Sequence, residues 1–197
     1  MANKEKLTRK EQANQTRERL FNAAYSLLSE SEFEKITVQD IVKRAGVSIG
    51  TFYLYYPSKL DVFYQTYSIA DAYFIEHVAP LLETGSTFEK LLLFFNQYAV
   101  YNTEFTSLKL TKLLYNSDNK CFLRNDNSGM LSLLSDIIIV GHASGELDQS
   151  MTTDEIFHFL MNAVRGLIYN WCISNGSYDL CTSMHAFVKR LYRAVCS

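Results

Sequence analysis

Ile36-Thr37-Val38-Gln39-Asp40-Ile41-Val42-Lys43-Arg44-Ala45-Gly46-Val47-Ser48-Ile49-Gly50-Thr51-Phe52-Tyr53-Leu54-Tyr55-Tyr56-Pro57-Ser58-Lys59 is the stretch that decides how this 197-residue chain folds. Thr37 and Asp40 stand three apart, the spacing of a capping box, so a helix begins at Val38. Its inward face is Val38, Ile41, Val42 and Ala45, which leaves Lys43 and Arg44 to solvent. Gly46 accepts the left-handed backbone that ends a helix, and Val47 fills the angle beyond it. Ser48 caps a second helix, Ile49 to about Tyr55, too short to be stable alone. That helix presents small residues first, Ile49, Gly50 and Thr51, and then the aromatics Phe52, Tyr53, Tyr55 and Tyr56. Pro57 forbids its continuation, and Ser58 with Asp61 predicts another capping box, opening a helix whose first turn presents Lys59 to a phosphate. Two short helices meeting at a tight glycine turn make a helix-turn-helix, a device for placing a helix in DNA. Glycine-linked helix pairs also occur in purely structural bundles. The two capping boxes, Pro57 and the small tip coincide here, and they favour the DNA reading.

The run from Gly46 through Val47, Ser48, Ile49, Gly50, Thr51, Phe52, Tyr53, Leu54, Tyr55, Tyr56, Pro57 and Ser58 to Lys59 resembles that of the TetR family of bacterial transcriptional regulators. The resemblance is specific over residues 16 to 64. It implies that Thr37, with Val38 and Gln39 beside it, and Lys59 meet the phosphate backbone. By the same resemblance Ser48, Ile49, Gly50, Thr51 and Tyr53 face the major groove, Tyr55 lies along the backbone, and Phe52 belongs to the core. Tyr56 departs from the family pattern, where phenylalanine is more usual, and adds a hydroxyl.

Charge is distributed in keeping with this. The net charge is -2, yet residues 1 to 60 hold 10 Lys plus Arg against 7 Asp plus Glu, while residues 61 to 197 hold 9 against 14. The basic excess sits in the amino-terminal part and is modest, so dimerisation is needed to gather enough phosphate contacts. Residues 1–15 read as a mobile polar arm, a solvated tail or one whose Lys4, Lys6, Arg9 and Lys10 touch the backbone or minor groove. No apolar run approaches the roughly 18 residues of a membrane span, and the start lacks a signal peptide, so a cytoplasmic protein without membrane contact is expected. Cys121, Cys172, Cys181 and Cys196 show no zinc-type pairing and are expected as reduced thiols.

The remaining sequence is helical, giving an all-α fold in two parts: a helix-turn-helix head over 16–60 and a helical-bundle body over 61–197. In the head, a helix from about Thr16 buries Leu20, Ala24, Leu27 and Leu28. A long helix from Ser58 runs toward Ala79 and Pro80. Ser86 with Glu89 opens a helix whose Leu91-Leu92-Leu93-Phe94-Phe95 is apolar all round, which suits the middle of a bundle. Further helices are read at about Thr106–Tyr115, Met130–Val140, Thr152 to about Ser174 and Tyr178–Val195, with a loop over Asn116–Ser128 and a turn over Gly141–Ser150.

The body carries much of an aromatic load of 13 Tyr, 13 Phe and one Trp. Phe94, Phe95, Tyr98, Tyr101, Asn102, Phe105, Leu113, Tyr115, Met130, Leu134, Met161, Arg165 and Tyr169 are candidates for an apolar effector pocket with a few polar fixtures. Each taken alone is as consistent with plain core; the resemblance implies the pocket. Arg165 stands in a polar stripe with His158, Asn162, Tyr169 and Cys172, and requires an anion, either a ligand or a carboxylate such as Asp136. Ala163, Leu167 and Trp171 on one helix and Phe187, Val188 and Leu191 on the last are the expected dimer interface. Gly166 permits close approach. The family resemblance implies a C2 homodimer on a palindromic operator, its recognition helices about 34–36 Å apart or somewhat more.

Catalytic, metal and cofactor readings find too few residues. Glu155-x-x-His158 lacks the second pair that a di-iron bundle needs, Cys181 and His185 are half a metal site, and Gly141-His142-Ala143-Ser144-Gly145 has its serine one place late for a nucleophile elbow. The expected function is a sequence-specific repressor that leaves DNA when a small apolar or aromatic effector enters the body and the long fourth helix shifts. The alternatives are an architectural or recruiting factor without an effector, and an all-α carrier with a vestigial head.

Overall fold

The computed structural model describes residues 8–116, 119 and 129–197. These fall into two compact units divided between Thr66 and Tyr67. All regular structure among the described residues is helical, apart from an isolated bridge between Leu147 and Cys196.

The first unit begins with α1, Arg9–Glu30, seven residues earlier than expected. Thr8 and Glu11 form a capping box, with the Thr8 amide donating to Glu11 Oε2 at 2.7 Å. That box satisfies the orphan amides, and the following Glu, Gln, Ala and Arg residues are good helix formers, so polarity here marks a solvated helix turn and not an arm. Lys4 and Lys6 lie outside the described residues. α1 buries Leu20, Ala23, Ala24 and Leu28. A 3-10 turn at Phe33–Lys35 leads into α2, Val38–Ala45, where the Thr37–Asp40 box forms and Ile41, Val42 and Ala45 are buried. Gly46 ends α2 at φ 66°, ψ 40°, the left-handed region that favours glycine. α3, Ile49–Tyr55, buries Phe52 alone. α4, Lys59–Phe63, buries Val62 and Phe63, and the Phe63 ring meets Phe33 edge-on at 5.8 Å. This packing carries the head to Thr66, beyond the expected boundary at residue 60. Ser58 does not complete its box: its hydroxyl donates to Asp61 Oδ2 at 2.6 Å and makes no bond to a backbone amide.

The expected single helix from Ser58 to Ala79 is interrupted. After α4 the chain turns at Tyr64, resumes as α5, Gln65–Tyr73, widens into a π turn over Phe74–Val78 and tightens into a 3-10 turn over Ala79–Leu82. Pro80 lacks the amide that would continue the α ladder.

In the second unit α6, Thr87–Val100, occupies the centre, packing on the helices at Gly129–Ala143 and Leu180–Tyr192. Leu91, Phe94 and Phe95 are fully buried, as an all-round apolar helix requires. A π turn, Tyr101–Phe105, extends α6, and α7, Leu108–Leu114, follows a Ser107 cap. Of the expected loop, only Asn116 and Asn119 are among the described residues. α8, Gly129–Ala143, runs past Gly141, which lies within the helix and not in a turn. A Cβ at Gly141 would collide with the Thr87 side chain, so this glycine lets α8 approach α6. α9, Thr153–Ile173, opens with the Thr152–Glu155 box, and α10, Leu180–Tyr192, is capped by Asp179.

Candidate nucleic-acid interface and effector site

The head presents α3 outward. Ser48 Oγ accepts the Thr51 amide at 3.0 Å, which fixes the start of a helix that two turns of propensity alone would not hold. Phe52 anchors it. Ile49, Gly50 and Tyr53 are exposed, Tyr53 at 55% of its surface, while Thr51 and Tyr55 are half-buried. Thr37 and Gln39 are exposed at the start of α2 and Val38 is half-buried. The Thr37 hydroxyl donates to Asp40 Oδ2 at 2.6 Å, and these bonds hold the Asp40 carboxyl below its usual range. Leu54, part of the family run but given no role in the sequence reading, is the most exposed large apolar side chain among the described residues, at 76%.

Two head side chains have different surroundings from those expected. Lys59 turns inward: its ammonium donates to the carbonyls of Phe33 at 2.6 Å and Ile36 at 2.8 Å and lies 4.0 Å from the Phe33 ring centre. Partial burial lowers its pKa. Two of three ammonium donors are thus committed to the head itself. The Tyr56 hydroxyl, the departure from the family pattern, donates to Gln65 Oε1, and burial pushes its pKa up to about 12. Arg17, 5.2 Å from the Tyr55 ring centre, places an exposed guanidinium of α1 beside α3. Sequence spacing gave no sign of this, because Arg17 and Tyr55 are 38 positions apart.

The body gathers most of the expected pocket residues. Phe94, Phe95, Tyr98, Tyr101, Asn102, Tyr115, Met130, Leu134 and Met161 are buried, and Leu113 and Arg165 are half-buried. The polar fixtures converge at one end. The Tyr98 and Tyr115 hydroxyls are 2.8 Å apart, and Asn102 Nδ2 donates to the Tyr98 carbonyl at 2.8 Å. Burial drives the Tyr115 pKa well above its ordinary value, with Tyr98 adding to the rise and the Arg165 charge opposing it. Arg165 is therefore a neighbour of the tyrosine pair. Asp136, its expected carboxylate partner, lines instead an open cleft of about 240 Å³ with Leu82, Glu83 and Lys90. No ion pair joins Asp136 to Arg165.

Phe105 and Tyr169 do not belong to this interior, being 54% and 52% exposed. The π turn at Tyr101–Phe105 adds a residue to the turn and rotates Phe105 outward, where it stacks on Tyr101 at 5.8 Å and meets Tyr73 at 4.7 Å. Tyr169 shares the outer side of α9 with His158 and Asn162, so the expected polar stripe divides between solvent and interior.

The expected dimer residues divide too. Trp171, Val188 and Leu191 are buried within this unit, and the Trp171 indole donates to the Tyr178 carbonyl at 3.1 Å. Ala163, Leu167 and Phe187 are half-buried. The accessible stripe of α9 is Phe159, Ala163, Gly166, Asn170 and Ile173, spaced four, three, four and three. Among the described residues nothing lies within 4 Å of a Cβ built on Gly166, so this position is open.

Among the described residues no helix is long and apolar enough to cross a membrane, and no three metal-binding side chains cluster. Glu155 is occupied in its capping box, and His158 lies 3.5 Å from Asp154. Cys172, Cys181 and Cys196 are free thiols, and Cys121 lies outside the described residues.

A helix-turn-helix head joined to an all-α body defines the class of one-component DNA-binding regulators. Residues 20–65 match the model of bacterial regulatory proteins of the tetR family. The match spans the helix-turn-helix head, where the chain is similar to TetR-family transcriptional regulators. It is 23% identical over 181 residues to the fatty acid metabolism regulator protein of Bacillus subtilis, a match covering 89% of this chain and 93% of that one. Over 42 residues, 21% of this chain and 22% of the relative, it is 48% identical to the uncharacterized HTH-type transcriptional regulator YvdT of the same organism. Its fold is similar to that of the transcriptional regulator FadR from Bacillus subtilis in complex with stearoyl-CoA, with TM-score 0.72 and 21% identity over 89% of this chain and 97% of that one.

Proposed function

We propose that this regulator is a homodimeric repressor that releases a palindromic operator when a long-chain acyl ligand, of which an acyl thioester is the leading case, occupies its body. The observation that carries this reading is the two-part interior. An aromatic and aliphatic core around Phe94, Phe95 and Leu134 suits an acyl chain, and the Tyr98–Tyr115 pair with Arg165 beside it suits a polar, carbonyl-bearing end. The likeness to a regulator of fatty acid metabolism, and to a fold that binds stearoyl-CoA, supports the same ligand class. It narrows the broader expectation of an apolar or aromatic effector to an acyl chain.

On this reading the exposed residues of α3 and of the α2 start meet DNA, and the open α9 stripe around Gly166 pairs two copies. The ligand acts only through its preference for the DNA-incompetent state. A 100-fold preference corresponds to about 2.7 kcal/mol of coupling.

Fluorescence anisotropy on a selected operator duplex tests the proposal, with stearoyl-CoA, stearate and free CoA titrated separately. Stearoyl-CoA is expected to weaken binding about 100-fold and free CoA to leave it unchanged. Operator affinity unaltered at saturating stearoyl-CoA and stearate would refute the acyl-effector reading.

A further inference from the structure

Glycine is a poor helix former, so a glycine within a seven-residue helix calls for a reason. Gly50 has none among the described residues. It is not among the glycines with positive φ, and a Cβ built on it would meet only Ser48 Oγ, at 3.8 Å. The room it leaves opens outward.

Leu54 is the matching anomaly. α3 buries only Phe52, and at about 100° per residue Leu54 and Gly50 each lie about 200° from it, in opposite senses, straddling the outward face. They are four apart, so they share one line along the helix, and a helical side chain leans back over the residue four before it. Leu54, 76% exposed, therefore extends over a position with no side chain. The pair forms a notch with one apolar wall.

We infer that Leu54, over the gap left by Gly50, reads the 5-methyl group of a thymine in the operator. In the major groove this methyl is the apolar group by which thymine differs from the other bases, and aliphatic side chains recognise it by contact alone. Gly50 serves closeness, since a Cβ there would hold the helix away from the base edge. The inference rests on the reading of α3 as the DNA-contacting helix and adds a specificity-determining residue to it.

The test starts from duplexes selected by the full-length protein out of a random pool. Each thymine of the enriched site is then replaced by deoxyuridine, which removes only the methyl group. Wild-type protein should lose roughly fourfold in affinity per half-site at one position, the value of one buried methyl group. Leu54→Ala should be insensitive to deoxyuridine at that position and should melt with a nearly unchanged midpoint, because Leu54 is 76% exposed. Gly50→Ala should raise the melting midpoint of the head while weakening operator binding.

A flat deoxyuridine scan on an enriched site would overturn the methyl contact and leave the repressor reading intact. A position still sensitive in Leu54→Ala would assign the methyl to another residue. Failure to enrich any sequence would remove the sequence-specific reading, and this inference with it.

Discussion

The two units of this molecule carry information in different currencies. The head, with its excess of basic residues, is built from helices of five to eight residues after α1, and each is fixed by a local device: the Thr37–Asp40 box, the Gly46 turn, the Ser48 cap. The body, with its excess of acidic residues, uses helices of up to 21 residues, and its character comes from what they enclose. Local devices act over three or four positions and are visible along the chain. Enclosure depends on residues that meet only after folding.

The most forceful way to break that contrast is to empty each core in turn. Phe52→Ala should cost about 3–5 kcal/mol and melt the head first, abolishing DNA binding while most helicity survives. Phe94→Ala should cost about as much in the body. Calorimetry checks both, and a single merged transition shifted equally by the two substitutions would show that the units do not act separately.

A smaller effect separates reading from holding. Tyr53→Ala should remove about 1–3 kcal/mol of preference for the selected site over a scrambled duplex, with the melting midpoint unchanged. Lys59→Met should do the opposite, lowering the midpoint by about 1 kcal/mol of stability because the Phe33 and Ile36 carbonyls lose their charged donor. If Lys59 also neutralises a phosphate, the slope of log affinity against log salt will flatten by about 0.9 on its removal. We expect a change well below that.

The gentlest comparison uses acid. Glu11 and Asp40 in the head, and Glu89 and Glu155 in the body, are held below their ordinary pKa by bonds from capping backbone amides and hydroxyls. A depressed folded pKa gives stability that is present above the unfolded value and lost as pH falls through the folded one. Both melting transitions should hold steady from pH 7 to 5 and decline together below about pH 4. Decline in the head alone would place the acid sensitivity elsewhere.

These tests follow the line between what was legible in the sequence and what was not. The helix-turn-helix was legible to within a residue or two, because Thr37, Gly46 and Ser48 act on their nearest neighbours. The all-α body and its central helix were legible from the apolar run at Leu91–Phe95. The exposure of Phe105 was not legible, because neither composition nor the family resemblance announces the π turn at Tyr101–Phe105. Trp171 and Val188 were assigned to a partner copy because composition does not say whether an apolar face meets its own bundle or another. The bonds of Lys59 to the Phe33 and Ile36 carbonyls were not legible, because those acceptors are more than twenty positions away.

The buried thiol of Cys172 offers a clock for the body. Burial pushes its pKa up to about 11, so at neutral pH it is almost wholly protonated as well as enclosed, whereas Cys181 and Cys196 are only half-buried. Alkylation at Cys172, followed by mass spectrometry of the peptide that contains it, therefore reports how often the interior opens. A ligand that fills the interior slows that clock, and one that binds only the outer surface leaves it running at the same rate.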